Sequence, residues 1–268
     1  MPQFNQCVCA LWVVKLGVPD LIGSGTLLKV EQSTFLITAA HVIDCASGQP
    51  LFLCCPTGMK QIGGRGKLTT PVSGSRQDDR DDTAVVALDG DTTAFVEAAY
   101  KPLPINLADV KDSWLPEKPY AFSGFPWRKS GSKINGVICE PPIYTFQATS
   151  VAETDYSSLG LSLLKHIAVD FDLKHAIDAN GRDLTAPNPQ GMSGGAVWSF
   201  VPVDLDGQQM LTRRPVGIAI EYISERRVLV GVRINAALEC IRMMFPSLSA
   251  SIPLKPGLTI ICKGRFNE

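Results

Sequence analysis

An all-β fold of the sandwich or barrel kind is what this sequence predicts, and three observations carry that prediction. Short apolar runs recur along most of the chain, separated by Gly, Pro, Asn and Asp, the pattern of short strands joined by turns. No internal repeat or low-complexity tract interrupts that texture. With 268 residues, 45% of them hydrophobic and 19% charged, the chain can build a substantial core, in one large all-β domain or two smaller ones.

Taken in order, residues 8–15, 25–30, 34–38 and 50–55 read as strands, and 83–88 as another. The turn-rich stretch 62–67 leads into one more. From about 97 to 118 the texture becomes irregular, with Pro102, Pro104 and Pro116 followed by Pro119, so a linker is expected there. Beyond it, 120–126, 136–140, 145–150, 167–171, 194–199, 215–222 and 228–234 read as strands. Asn235 suits the N-cap of a helix over 236–245, with Leu238, Ile241 and Met244 on one stripe. Residues 178–183 read as a surface loop and 263–268 as a loose tail.

A formal net charge of −1 argues against a strongly basic nucleic-acid surface. No apolar stretch approaches the roughly 20 residues that span a bilayer, so no membrane partner is expected. The first six residues lack a positively charged leader region, and 7–14 read better as the opening strand. Of the eight cysteines, Cys7 and Cys9 alternate, Cys54 and Cys55 adjoin, and Cys45, Cys139, Cys240 and Cys262 are scattered. They read as reduced, partly buried thiols of a cytoplasmic protein. A metal site built from Cys7, Cys9, Cys54 and Cys55 fits no common zinc spacing.

Chemistry concentrates in three stretches: Thr38-Ala39-Ala40-His41, Asp82-Thr83-Ala84-Val85-Val86 and Gly191-Met192-Ser193-Gly194-Gly195. They supply a base, a carboxylate and a hydroxyl. Serine alone is a poor nucleophile. It needs a base to take its proton, a carboxylate to orient that base, and donors for the oxyanion that forms. His41 is one of three histidines; His166 and His175 flank an expected strand without a motif. The glycines around Ser193 allow a sharp turn that a Cβ would obstruct. By itself that pentapeptide also fits a plain Gly-rich turn, and only its company singles it out.

The order His, Asp, Ser differs from that of subtilisin-like enzymes and of α/β-hydrolases. From about Gly23 to about Asn235 the chain resembles the trypsin- and chymotrypsin-like serine proteases. In texture it is similar to their disulfide-free intracellular and bacterial members, including the high-temperature-requirement proteases. Gly23-Ser24-Gly25-Thr26, Thr38-Ala39-Ala40-His41-Val42 and Asn188-Pro189 carry that likeness. The resemblance implies a double six-stranded antiparallel β-barrel with a C-terminal helix. The first barrel would span 1–100, the linker 101–117, and the second barrel with the helix 118–268, together one peptidase unit.

The same resemblance assigns roles. His41 would be general base and then general acid. Asp82 opens a strand as Asp-x-Ala, as the family's aspartate does, whereas Asp81 would stand one residue out of register. Asp78 and Asp79 read as a solvated acidic loop. The N–H groups of Gly191 and Ser193 would form the oxyanion hole, where losing one donor typically costs about 3 kcal/mol. Met192 stands where zymogen-type relatives carry an aspartate that pairs with a new N-terminus, so maturation by such a cleavage is not expected. Pro187, six residues before Ser193, would floor the substrate pocket and lacks the carboxylate of trypsin. Ile220, Glu221 and Tyr222 would line the cleft. Glu221 either favours basic substrate groups or points to solvent, and Tyr222 narrows the pocket.

The implied function is a serine endopeptidase acting on polypeptides through an acyl-enzyme on Ser193, without metal or cofactor. The alternatives are an inactive or latent module that binds a peptide or partner protein by strand addition, and a regulated effector protease of a bacterial immune system with a regulatory protein partner.

Overall fold

A computed structural model describes residues 4–55, 58–71, 74–127, 141–177, 181–205 and 207–266. The strand expected at 136–140 lies outside them, as do 178–180 of the expected loop. The first half folds as β1 (Val8–Lys15), β2 (Val18–Val30), β3 (Ser33–Thr38), α1 (Ala40–Cys45), β4 (Phe52–Cys55), β5 (Gly58–Gln61), β6 (Gly64–Thr69), β7 (Ala84–Leu88), α2 (Gly90–Ala99) and β8 (Leu103–Pro104). The second half supplies β9 (Pro119–Gly124), β10 (Tyr144–Thr149), α3 (Glu153–Ser158), β11 (His166–Asp170), β12 (Ala176–Ile177), β13 (Asp183–Leu184), β14 (Ala196–Leu205), β15 (Gln208–Ile223), β16 (Val228–Arg233), α4 (Ile234–Met244) and β17 (Cys262–Phe266).

The second sheet runs β10-β9-β14-β15-β16-β11, all antiparallel. Its two edges meet where Ser150 bridges Val169 and Val151 N–H donates to the Ala168 carbonyl at 3.0 Å, which closes six strands into a barrel. Closure removes exposed strand edges. Its interior is filled by Phe122, Ile167, Val169, Val197 and Val216. The first sheet runs β17-β6-β7-β3-β2-β1-β4-β5, with β8 parallel to β2. With nine strands it exceeds the six expected, β8 and β17 being two of the additions. In β3 every residue from Thr34 to Thr38 is buried, so this strand is a continuous run rather than an alternation. Together the two sheets make a double β-barrel of the chymotrypsin type.

Three readings of the sequence need correction. The C-terminal segment is no loose tail: β17 pairs with β6, and Phe266 is buried against the first core. Asn235 does not cap α4. The helix begins at Ile234, two residues before the expected 236, and the Asn235 amide instead donates to the Val110 carbonyl at 3.2 Å. The region before the linker is ordered as α2, whose N-cap Asp89 accepts from Thr92 N–H at 2.8 Å. Two threonines, a phenylalanine and a valine in α2 hide it, since those residues favour strands. The linker itself is anchored by the buried Asp112, which pairs with Arg233 and Lys118 and accepts from Tyr120 Oη at 3.0 Å.

The topology already brings the candidate residues together. Thr38 at the end of β3 pairs with Ala84 at the start of β7, so His41 and Asp82 lie at one rim of adjacent strands. Ala196 at the start of β14 pairs with Ile218, which puts Ser193 beside Ile220. Among the described residues, no helix is long and apolar enough to cross a membrane.

Candidate active site

His41 sits in α1, one short turn beyond β3, and its whole contact with Asp82 follows from that placement. Ala40 N–H donates to the Asp82 carbonyl at 3.2 Å, and His41 N–H to Asp82 Oδ1 at 2.9 Å. The imidazole Nδ1 lies 2.6 Å from Asp82 Oδ2. A carboxylate accepts, so Nδ1 carries the proton and Nε2 keeps a free lone pair. The Asp82 side chain is 9% exposed, against 36% for His41. The carboxylate is thus shielded while the imidazole faces solvent. Burial disfavours the imidazolium, but the hydrogen bond and charge of Asp82 outweigh it and raise His41 above its ordinary 6.5.

Ser193 reaches the same cleft from the other barrel. Its loop is tied across the seam: Ser24 N–H donates to the Ser193 carbonyl at 2.8 Å, and Thr26 Oγ1 to the Gly194 carbonyl at 3.0 Å. Gly194 adopts φ +88°, and a Cβ there would lie 2.0 Å from the Ser24 oxygen. Only glycine lets the loop approach β2 this closely. Ser193 Oγ donates to the Ile220 carbonyl at 3.2 Å, and among the described residues it makes no hydrogen bond to His41. Met192 N–H is used, donating to the Pro189 carbonyl at 2.8 Å. The N–H groups of Gly191 and Ser193 have no protein acceptor among the described residues.

His41, Asp82 and Ser193 line one cleft of about 550 Å³. Gly191, Ile220, Glu221 and Tyr222 line it as well, whereas Pro187 is half-buried outside the lining and Asn188, Pro189 and Gln190 stand in its place. Tyr222 packs edge-on against Phe171 at 5.9 Å. Glu221 lines the cleft with its charge answered by Arg80, at 3.2 Å. Asp79 corrects an expectation: it is buried, not solvated. It pairs with Arg76 and accepts from Thr69 Oγ1 at 2.7 Å, because Arg76 folds back to line the cleft. Arg76 also donates to Asp44 at 2.6 Å, so its charge is spent locally. Nothing in the sequence spacing marked Arg76 or Arg80; each acts through a fold-specific partner. Among the described residues, Cys7, Cys9, Cys54, Cys55 and Cys240 are buried, Cys240 against Cys262 with the sulfurs 2.7 Å apart, and burial pushes Cys7 up to about 12.

Comparison with known proteins adds little to this geometry. No protein-family model matches the sequence, and no curated protein matches it. Among solved structures, a Glu endopeptidase in complex with MPD is similar to 91% of this chain over 92% of its own, at 16% identity and a TM-score of 0.48.

Proposed function

We infer that this chain is a serine endopeptidase that cleaves polypeptides through His41, Asp82 and Ser193. The observation that carries the reading is the doubly bonded His41–Asp82 pair, facing a cleft it shares with Ser193. A rotation of the serine side chain between staggered positions turns Oγ from Ile220 towards His41 Nε2. Nε2 then takes the hydroxyl proton as Oγ attacks the carbonyl carbon, and Asp82 stabilises the imidazolium that results. The Gly191 and Ser193 N–H groups receive the oxyanion. Collapse breaks the C–N bond, His41 hands its proton to the leaving amine, and water repeats the sequence on the acyl-enzyme.

Met192 supports activity without a new N-terminus. Its side chain is 2% exposed and packs into the second core, so apolar contact holds the oxyanion loop where zymogen-type relatives use an ion pair. The apolar lining around Phe122, Met192, Tyr222 and Leu229, with Arg76, Arg80 and Glu221 all paired, favours uncharged residues before the scissile bond. A latent resting form is the second reading, favoured by the Ser193–Ile220 bond. Incubation with a peptide library tests both: cleavage after uncharged residues that Ser193→Ala abolishes supports the enzyme. Intact peptides with both proteins contradict it and favour the latent form.

A further inference from the structure

The two loops that carry the candidate triad are each held by the opposite barrel. The serine loop is tied to β2 through Ser24 and Thr26. The aspartate loop belongs to the first barrel, yet its outer side is gripped by the second. His166 Nε2 lies 2.8 Å from the Arg80 carbonyl oxygen, and Lys165 Nζ donates to Asp81 Oδ2 at 2.9 Å. These contacts fall on the two residues immediately before Asp82.

The grip is rigid at its base. A carbonyl oxygen only accepts, so His166 Nε2 carries a proton. Nδ1 lies against Ser162, 2.9 Å from its N–H and 3.2 Å from its carbonyl oxygen, so the ring is held on both sides. His166 is 2% exposed, and burial holds its pKa below the ordinary value. Arg233 N–H donates to the Lys165 carbonyl at 2.7 Å, locking the segment to β16. Neither Lys165 nor His166 lines the cleft, so both lie away from the substrate walls.

Resting on the serine-protease reading, we propose that Lys165 and His166 are positioning residues: they hold the Arg80–Asp81 segment so that Asp82 keeps His41 aligned with the nucleophile across the seam. Reciprocal ties matter here because the base and the nucleophile ride on different barrels, and a small slip of one barrel against the other separates them. With the aspartate loop fastened to the barrel that carries Ser193, both halves move together.

The test uses Lys165→Met, His166→Leu, the two combined, and Lys165→Arg, read by steady-state kinetics and by the low-field proton resonance of His41 Nδ1–H. The combined variant is expected to lose about 10- to 100-fold in kcat, the scale of a small misplacement of a reacting group. KM stays unchanged, the resonance weakens or moves upfield, and Lys165→Arg restores most of the Lys165→Met loss. In an Asp82→Asn background the combined change costs no further kcat. Unchanged kcat and resonance in a folded combined variant would overturn the proposal, as would a loss that persists in full without Asp82. If the combined variant does not fold, Lys165→Met alone decides, since that side chain is already 26% exposed. The resonance needs no substrate, so it tests the grip even if Ser193 proves unreactive, which keeps the two failures apart.

Discussion

His41 and Asp82 are joined by hydrogen bonds of 2.9 and 2.6 Å, whereas Ser193 Oγ is turned to Ile220 at 3.2 Å. The first pair is built within one sheet, from the paired ends of β3 and β7, so folding of that sheet assembles it. The serine belongs to the other barrel and is set by its loop and by one side-chain torsion. On the proposed serine-protease reading, the contrast teaches that the base is prepared in advance, while the nucleophile is engaged late.

The sharpest way to break that contrast is to remove either end. Ser193→Ala and His41→Ala should each lower kcat by about a millionfold, and together no more, because base and nucleophile act as a unit. Additive losses in steady-state assays would mean they act separately. Asp82→Asn comes next, with a loss of about ten-thousandfold expected from the wrong imidazole tautomer.

The pH profile sharpens the same point. His41 must be neutral to accept a proton and its pKa is raised, so kcat/KM should fall on acidification through a limb above 6.5. The sign for stability is opposite. The protonated His41–Asp82 pair favours the folded state fully below 6.5, and that contribution is lost as pH rises through the raised value. In Asp82→Asn the limb should move to lower pH, because the two largest raising causes go with the carboxylate and only the smaller one, the charge of Asp44, remains. A limb left in place would break the link.

On the serine side, Gly194→Ala should destabilise the fold by about 3 kcal/mol or more, from positive-φ strain plus the overlap with Ser24. Thermal unfolding measures it, and a wild-type midpoint would show the loop is looser than described. The smallest effect belongs to Arg80→Gln. Its ion pair with Glu221 is nearly half exposed on both sides, so the stability change should stay below about 1 kcal/mol.

What the sequence disclosed follows the same division. Strand texture and the three short motifs were legible because period and turn chemistry are local: β1 matches the expected run, and β3 and β7 differ from it by a residue. The choice of Asp82 over Asp81 rested on strand register, and the structure turns Asp82 to His41 and Asp81 to Lys165. Asp79 was misread as solvated because its partners, Arg76 and Thr69, are known only once the loop folds back. For the same reason β17 was missed: its partner β6 lies nearly two hundred residues earlier, and no local pattern records that pairing. The grip of Lys165 and His166 was equally silent, since a histidine without a motif declares its role only through what it touches.

Intact-mass analysis after treatment with a fluorophosphonate tests the central claim most directly. The account predicts a single adduct on Ser193, formed more slowly as pH falls through the His41 limb, and none in Ser193→Ala or His41→Ala. No adduct at any pH, or equal labelling in His41→Ala, would contradict it.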